Sequence, residues 1–381
     1  MKVAIVHDWL VNFAGADRVV DQMMRVFPDA VIYTLVYRPE AFPGHFRKYD
    51  VRTTYIQKIP MAAHLYKNML SLMPRAFESL DLTEYDLVIS SSSSCSKGVI
   101  TRPDALHICY CHTPVRYVWS HYHEYLSNAS WLKRRIMPGI IHRIRLWDFA
   151  AAQRVDLFLA NSRNTAQRIR KYYRRTATVI YPGVHLDEKP AAETDDGYYL
   201  MVGRFVAYKR FDLGIEACTR SGRKLIVAGG GDLEAELKKK AGGTVTFIPS
   251  PDDERIRELY RHARALIFPG DEDFGIVPVE AQSCGCPVLA YGRGGACETI
   301  LDGESGILFR EQSVESVLEA MDTLEEKGVS MNRGEIRQSV QRFSEERFRE
   351  EFRVFVERAW RERNQPSPDR FPVPEGSEVI T

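Results

Sequence analysis

Short runs of β-branched and other apolar residues alternate with segments of helical apolar spacing through nearly the whole chain. In the first half these runs lie at residues 2–7, 30–35, 87–90, 106–109, 157–160 and 178–181. In the second half they lie at residues 199–202, 225–228, 245–248, 265–268 and 288–290. Buried strands separated by helices are typical of parallel α/β sheets, so this alternation predicts an α/β fold.

A polar segment rich in Pro, Ala and Asp at residues 183–197 interrupts the pattern and predicts an interdomain linker. A length of 381 residues fits two domains. We therefore predict two tandem Rossmann-like domains that face each other across a cleft, where strand ends bind ligands. The predicted parts are residues 1–185, residues 198–345, a C-terminal helix at 346–363 and a disordered tail at 364–381.

The charge of the chain is balanced overall but not along its length. The 52 Lys and Arg residues against 51 Asp and Glu give a net charge of +1, which argues against a partner held by overall charge, such as nucleic acid. Residues 1–190 hold 26 basic and 16 acidic residues, whereas the remainder holds 26 and 35. The basic half predicts an anionic partner, such as a membrane surface or a nucleotide, or attraction between the halves across the cleft.

The sequence favours a cytoplasmic location. No apolar run approaches the roughly 18 residues of a membrane-spanning helix, and the N-terminal segment lacks the features of a signal peptide. The seven cysteines have no framework spacing, which favours reduced thiols.

One group of polar residues follows the first strand of the second half. Gly203 and Arg204 end this strand, and Lys209 stands at the start of the next helix. A glycine permits close approach, while cations and helix N–H groups suit a diphosphate. The alternative is a solvated basic turn.

A second group follows the strand at 265–268. Glu272 lies in a loop with Phe274 and Gly275, and Glu280 lies early in the next helix. Carboxylates at a strand end can accept hydrogen bonds from the hydroxyls of a sugar. The alternative for Glu280 is that it only complements the helix dipole.

Taken in order, four motifs carry a resemblance to a known family: GR with a following Lys at 203–209, AGGGD at 228–232, EDFGIVPVE at 272–280 and PVLAYGRGG at 287–295. This series resembles the retaining nucleotide-sugar glycosyltransferases of the GT-B fold, family 4. The first half supports the resemblance through Gly15 and His112. In the family the loop near Gly15 usually has two glycines and a following glutamate, whereas this chain has Ala14 and Asp17 in the places of the first glycine and the glutamate.

The resemblance implies a role for each candidate residue. Arg204 and Lys209 stabilise charge on the departing diphosphate, and Gly15, Gly203, Phe274 and Gly275 are further donor-binding residues. Glu272 accepts hydrogen bonds from the donor sugar, and Glu280 holds the ribose. His112 contacts the sugar near its reacting carbon.

The resemblance also implies that no metal or other cofactor is needed. Two sequence features offer alternatives. Asp271 and Asp273 form an Asp-x-Asp sequence after a strand, where a metal anchor can stand. Cys109, Cys111 and His112 could bind zinc, but four ligands at finger spacing are absent, so we do not favour this site.

The donor and acceptor are predicted from finer features. Residues 116–119 and 208–212 resemble mannosyltransferases that build bacterial surface polysaccharides, which predicts GDP-mannose as donor and a glycan or lipid-linked acceptor. The stretches at 64–75 and 131–147 are apolar and basic, the latter including Lys133, and predict peripheral contact with an anionic membrane. Ordinary amphipathic surface helices are the alternative.

Two other functions remain open at this point. A nucleotide-sugar 2-epimerase of the same fold needs no acceptor surface, which leaves the basic apolar stretches without a role. A non-catalytic sugar-nucleotide-binding subunit is expected to lose carboxylates and cations, yet Glu272, Glu280, Arg204 and Lys209 are all present.

Overall fold

A computed structural model describes residues 1–127, 130–326 and 331–364, the side chains of residues 124, 132 and 133 excepted. Seven parallel strands form the first sheet, in the spatial order β3-β2-β1-β4-β5-β6-β7. They are β1 Val3–His7, β2 Val31–Thr34, β3 Val51–Thr53, β4 Leu87–Ser92, β5 Leu106–Cys111, β6 Leu157–Ala160 and β7 Thr178–Val179. The helices around this sheet are α1 Gly15–Val26, α2 Ala62–Leu65, α3 Met73–Glu78, α4 Tyr122–Ser127, α5 Trp131–Gln153 and α6 Arg163–Tyr173.

The second sheet has six parallel strands in the order β10-β9-β8-β11-β12-β13. They are β8 Tyr198–Arg204, β9 Lys224–Gly230, β10 Val245–Pro249, β11 Ala265–Phe268, β12 Val288–Tyr291 and β13 Gly306–Phe309. Its helices are α7 Phe211–Ser221, α8 Glu234–Lys240, α9 Asp253–His262, α10 Ile276–Ser283, α11 Ala296–Thr299, α12 Val314–Glu326 and α13 Arg333–Ser339.

The predicted α/β class with two Rossmann-like sheets is confirmed. Two short edge strands were not predicted. β3 is three residues long and partly exposed, and β13 begins at a glycine, so neither carries a continuous buried apolar run. The predicted strand at 178–181 is reduced to two residues.

The last helix, α14 Glu345–Asn364, returns to the first sheet. Phe348, Phe352 and Val356 are buried in the same hydrophobic cluster as residues of β1, α1 and β5. The rings of Phe352 and Phe27 lie 6.3 Å apart, and those of Phe348 and Tyr110 lie 5.8 Å apart. The C-terminal helix is therefore part of the first domain's core. The predicted tail lies outside the described residues from position 365 onward.

The chain passes between the domains twice, near Val184 and near Ser344, and the two passages run side by side. The backbone N–H of Val184 donates to the carbonyl of Phe343 at 2.8 Å. A Cβ atom on Gly183 would lie 2.9 Å from Cα of Glu345, so a glycine is required for this close approach. These contacts place a compact hinge on one side of the cleft.

Buried ion pairs hold the cleft closed. Asp273, in the loop before α10, accepts from Nε of Arg116 at 2.9 Å and from Nη1 of Arg168 at 2.5 Å. Both arginines belong to the first domain, and all three side chains are mostly buried. Within the described ranges, none of the helices combines the length and hydropathy that a membrane crossing needs.

A second bridge joins Glu298, in α11, to the start of α6. The Glu298 carboxylate accepts from the backbone N–H groups of Arg163 at 2.8 Å and Asn164 at 2.9 Å. A carboxylate satisfies the free donors of a helix start and complements its dipole. The second domain thus caps a helix of the first.

We predict that Asp273→Asn opens the cleft, because it leaves two buried arginine charges without their carboxylate. Breaking a buried pair of this kind costs roughly 3 kcal/mol. Small-angle scattering should show a larger radius of gyration. Asp271→Asn is the matched control, because Asp271 pairs with Arg293 of its own domain at 3.4 Å. An unchanged radius for Asp273→Asn, or an equal increase for Asp271→Asn, would contradict this assignment.

Candidate active site

The starts of α1 and α10 meet across the cleft. Gly15 is the first residue of α1 and Ile276 the first of α10. A Cβ atom on Gly15 would lie 2.7 Å from Cδ1 of Ile276, so the absence of a side chain permits the contact. Helix N-termini carry unpaired N–H groups and partial positive charge, and two of them here favour an anionic ligand.

Lys209 and Glu272 lie together in the second domain, as the sequence predicted for residues of one site. Lys209 Nζ lies 2.8 Å from Glu272 Oε1, and their side chains are 14% and 18% exposed. Burial by itself lowers the pKa of Lys209, but the Glu272 carboxylate outweighs it and the pKa is raised. Lys209 therefore carries its charge at neutral pH. A Cβ atom on Gly203 would lie 3.2 Å from Nζ, so Gly203 leaves room for this side chain.

Arg204 lies at the rim of the cleft and is more weakly held. Its side chain is 51% exposed and lies 3.6 Å from Asp232. The 3₁₀ turn Tyr66–Asn68 of the first domain is close enough that burial and the Arg204 charge together lower the pKa of Lys67. Arg204 is thus a half-exposed cation at the mouth of the cleft.

The loop that carries Glu272 is shaped by the glycines after β12. Gly295 donates its backbone N–H to the carbonyl of Glu272 at 2.8 Å. A Cβ atom on Gly295 would lie 2.2 Å from the carbonyl oxygen of Phe274. Gly275 has a φ of 82°, in the left-handed region that glycine tolerates, and it is the N-cap of α10. The glycines therefore serve loop packing.

Phe274 was predicted near the donor, and its side chain points away from such a site. It is buried, with its ring 5.4 Å from that of Phe343 and 5.8 Å from that of Tyr181. The loop backbone is the part of Phe274 that a ligand could reach. The phenyl ring belongs to a buried cluster, called the hinge cluster here, with Val184, Val279, Val340 and Phe343.

The alternative metal sites find little support. Asp273 of the Asp-x-Asp sequence is engaged by two arginines, so it does not share an ion with Asp271. Cys109 and Cys111 are buried in a hydrophobic cluster. Among the described residues, no group of three His, Cys, Asp or Glu side chains is arranged to hold a metal ion.

Glu280 lies in α10 and lines a narrow pocket with Arg18, Arg257 and Tyr260. Burial raises the pKa of Glu280, while the charges of Arg18 and Lys209 oppose the rise. Arg18 reaches across the cleft and pairs with Asp253 at 2.8 Å. Among the described residues, the Glu280 carboxylate has no hydrogen bond or ion pair of its own, which suits a ligand hydroxyl donor.

His112 follows β5 and is buried in the first domain. Its Nε2 lies 2.8 Å from Oγ of Ser91, and its ring lies edge-on to that of His7 at 6.5 Å. Burial and the nearby His7 charge lower the pKa of His112 to about 3. This imidazole is therefore neutral at physiological pH.

Several residues of the site were not found by sequence reasoning. Arg18 and Asp253 are 235 positions apart, so no local pattern links them. Glu298 lies three residues after the PVLAYGRGG motif, and its carboxylate caps α6. His7 is the last residue of β1, and Ser91 is the residue before the last of β4. Neither belongs to a motif with a recognisable spacing. Their roles follow from the strand order alone.

Two family models match the chain. The model described as Glycosyltransferase Family 4 matches residues 13–188, and the model described as Glycosyl transferases group 1 matches residues 185–345. Together they span both domains.

Curated relatives and a solved structure agree with these matches. The chain is 25% identical to the alpha-1,3/1,6-mannosyltransferase ALG2 of Kluyveromyces lactis, over 79% of this chain and 71% of that protein. It is 27% identical to the D-inositol 3-phosphate glycosyltransferase of Mycobacteroides abscessus, over 68% of each. The structure of Anabaena HepE in complex with UDP-glucose superposes with a TM-score of 0.70 and 16% identity, over 94% of this chain and 100% of HepE.

Two facing parallel sheets, the motif series in the second domain and both family models lead to one conclusion. The chain belongs to glycosyltransferase family 4 and has the GT-B fold.

Proposed function

We propose that this protein is a retaining hexosyltransferase that moves mannose from GDP-mannose onto a glycan or a lipid-linked acceptor of surface polysaccharide synthesis. The observation that carries the proposal is the Lys209–Glu272 ion pair in a cleft that two helix starts also face. One charged donor and one charged acceptor are held side by side there. A nucleoside diphosphate sugar offers matching partners, phosphate oxygens and hydroxyls.

The diphosphate of the donor is expected to replace Glu272 as the ion-pair partner of Lys209. Lys209 is charged and mostly buried, so its interaction with a phosphate is screened little by water. Arg204 at the rim adds a second cation, and the start of α10 adds backbone N–H groups. Preorganised positive charge of this kind stabilises the negative charge that develops on the leaving diphosphate.

Glu272, released from Lys209, is then available for the sugar hydroxyls, and Glu280 for the ribose. The proposal uses no metal, because fixed cations and helix starts supply the charge that a metal would otherwise provide. It also uses no enzymic nucleophile: the acceptor attacks the face that the diphosphate leaves, and a phosphate oxygen takes the acceptor's proton.

The choice of mannose rests on two stretches that resemble mannosyltransferases, residues 116–119 and 208–212. They meet in the folded chain, where the Arg116 guanidinium lies 5.1 Å from the centre of the Tyr208 ring. The Kluyveromyces lactis relative is a mannosyltransferase by name, which also supports mannose. Anabaena HepE, in contrast, forms a complex with UDP-glucose, so the base requires a direct test.

The acceptor surface is proposed to include the basic apolar stretches. Leu70 of the first stretch packs into the same cluster as Ile141 and Ile144 of α5, so the two stretches form one surface. Leu72 of the first stretch and Trp131 of the second are 42% and 77% exposed. The side chain of Lys133 lies outside the described residues. Exposed apolar side chains among cations suit an anionic bilayer, which would bring a lipid-linked acceptor to the cleft.

The first prediction of the proposed function concerns the donor. In a thermal-shift panel, GDP at 100 times its dissociation constant should raise the free energy of unfolding by roughly 2.7 kcal/mol. UDP at the same concentration should stabilise the protein less. With labelled GDP-mannose and a lipid extract, label should move to the acceptor. Isomerised sugar nucleotide would instead identify a 2-epimerase, and binding without reaction a non-catalytic subunit. Stabilisation by UDP and not GDP would overturn the choice of base.

The second prediction concerns the phosphate cations. Lys209→Ala should lower turnover on the order of 10²- to 10³-fold, because charge at the leaving group is no longer stabilised. Arg210→Gln is the matched control: it lies one residue on, and its guanidinium pairs with Asp212 at 3.0 Å. Turnover is measured with the nucleotide-sugar donor at a saturating concentration. Near-normal turnover of Lys209→Ala would refute the proposed phosphate site.

The third prediction concerns membrane contact. Arg75→Gln with Arg135→Gln should weaken co-sedimentation with anionic vesicles by about 2 kcal/mol in total, or roughly thirtyfold, at low salt. Arg170→Gln with Lys171→Gln in α6 is the control with the same charge change. Binding should also decrease as salt rises. Equal effects of the two double variants, or no binding by wild-type protein, would show that the surface does not dock on lipid.

A further inference from the structure

Three polar side chains from neighbouring strands form a hydrogen-bonded chain behind the candidate sugar site. His7 ends β1, Ser91 lies in β4 beside it, and His112 follows β5 on the other side of β4. All three are almost fully buried. None of the motifs singled out in the sequence includes His7 or Ser91, so the chain needs a physical account of its own.

The partners of His7 determine its protonation. Its Nδ1 lies 3.2 Å from the backbone carbonyl oxygen of Ser91, which can only accept a hydrogen bond. Its Nε2 lies 3.5 Å from Oδ1 of Asp17, a carboxylate oxygen. Two ring nitrogens that both face acceptors are the arrangement expected for an imidazolium, which carries a proton on each nitrogen.

The charged groups around His7 agree with this assignment. Asp17 from α1 and Asp8, which directly follows β1, are the carboxylates that act on His7, with Ser91 and His112 on the other sides. Asp8 also accepts from the backbone N–H groups of residues 93–96, at 2.5 to 2.8 Å. Burial by itself lowers the pKa of His7, but the two carboxylates and the Ser91 contact give a net rise.

The hydroxyl proton of Ser91 has one hydrogen-bond acceptor left. Its Oγ lies 3.0 Å from Nδ1 of His7, which donates, so Oγ accepts there. Its own proton is then directed to Nε2 of His112 at 2.8 Å. Nε2 of His112 is therefore an acceptor, and a neutral imidazole of this kind keeps its proton on Nδ1. Among the residues that the structure describes, Nδ1 of His112 has no hydrogen-bond partner.

We propose that His7, held as a buried imidazolium by Asp17, is a positioning residue that fixes His112 through Ser91 as the Nδ1–H tautomer. The Nδ1–H group then offers a hydrogen bond to an oxygen of the bound nucleotide sugar, a hydroxyl or a phosphate oxygen. The ligand part of this inference rests on the proposed function. The protonation part rests on the protein alone.

The proposal also gives Asp17 a role. One carboxylate oxygen, Oδ2, accepts from the backbone N–H of Ala14 at 3.0 Å and so caps α1. The other, Oδ1, pairs with Nε2 of His7 at 3.5 Å and has no other partner among the described residues. Asp17 thus connects the loop at Gly15, which contacts the second domain, with the charge state of His7.

The test uses ¹⁵N-labelled histidine in the full-length protein, with His7 and His112 assigned by single substitutions. At neutral pH, two-bond ¹H–¹⁵N spectra should show both nitrogens of His7 protonated, and His112 with protonated Nδ1 and unprotonated Nε2. In Ser91→Ala the His112 signals should shift toward a mixture of tautomers. A neutral His7, or a His112 with protonated Nε2, would overturn the proposal.

Ser90→Ala is the matched control. It removes a hydroxyl that lies 2.9 Å from Nε2 of His107, another buried histidine of the same two strands, without touching His112. Ser91→Ala should lower kcat on the order of tenfold to a hundredfold, because a reacting group is misaligned, with the KM for the donor little changed. Ser90→Ala should keep the kcat of the wild type. Equal kcat values for both variants would refute the positioning role.

The two measurements separate failure of this inference from failure of the proposed function. If the wild-type protein transfers no sugar but the histidine spectra are as expected, the proposed function fails and the tautomer assignment stands. If transfer occurs and the spectra show a neutral His7, the positioning inference alone is wrong. His7→Gln provides a second variant that cannot carry the charge.

Discussion

The cost of burying charge without a partner governs how the two domains of this protein meet. Asp273 lies in the loop that also carries Glu272, and its partners Arg116 and Arg168 come from the other domain. Neither side can bury its charge alone without a desolvation penalty of several kcal/mol. The closed cleft is therefore the arrangement in which these groups are satisfied, and it brings α10 against Gly15.

The same constraint shapes the candidate site. Lys209 and Glu272 satisfy each other in the absence of a ligand, so a bound nucleotide sugar must replace that ion pair with interactions of its own. In the first domain, Asp17 and His7 form a second buried pair, which the hydroxyl of Ser91 connects to His112. The Lys209–Glu272 ion pair of the second domain and the neutral imidazole of His112 in the first thus face the same cleft.

Part of this site could be predicted from the sequence, since Gly203, Lys209, Glu272 and Glu280 follow strand ends in regular order. Parallel strands align their carboxyl ends at one edge of a sheet, which is enough to bring such residues together. Phe274 shows the limit of that reasoning. Its place in the motif predicted a donor contact, but its ring fills the hinge cluster, because an apolar ring is stabilised more by burial than by a polar cleft.

The sequence by itself determined the fold class and the two domains, and it marked candidate residues at the strand ends of the second, because periodicity and strand-end motifs are local signals. Only the tertiary structure decided which side chains meet across the cleft and which protonation they hold. Arg18 and Asp253, or His7 and His112, are distant in sequence and become neighbours through strand order and domain closure. Electrostatic partners depend on distances of a few ångströms, which no local pattern records.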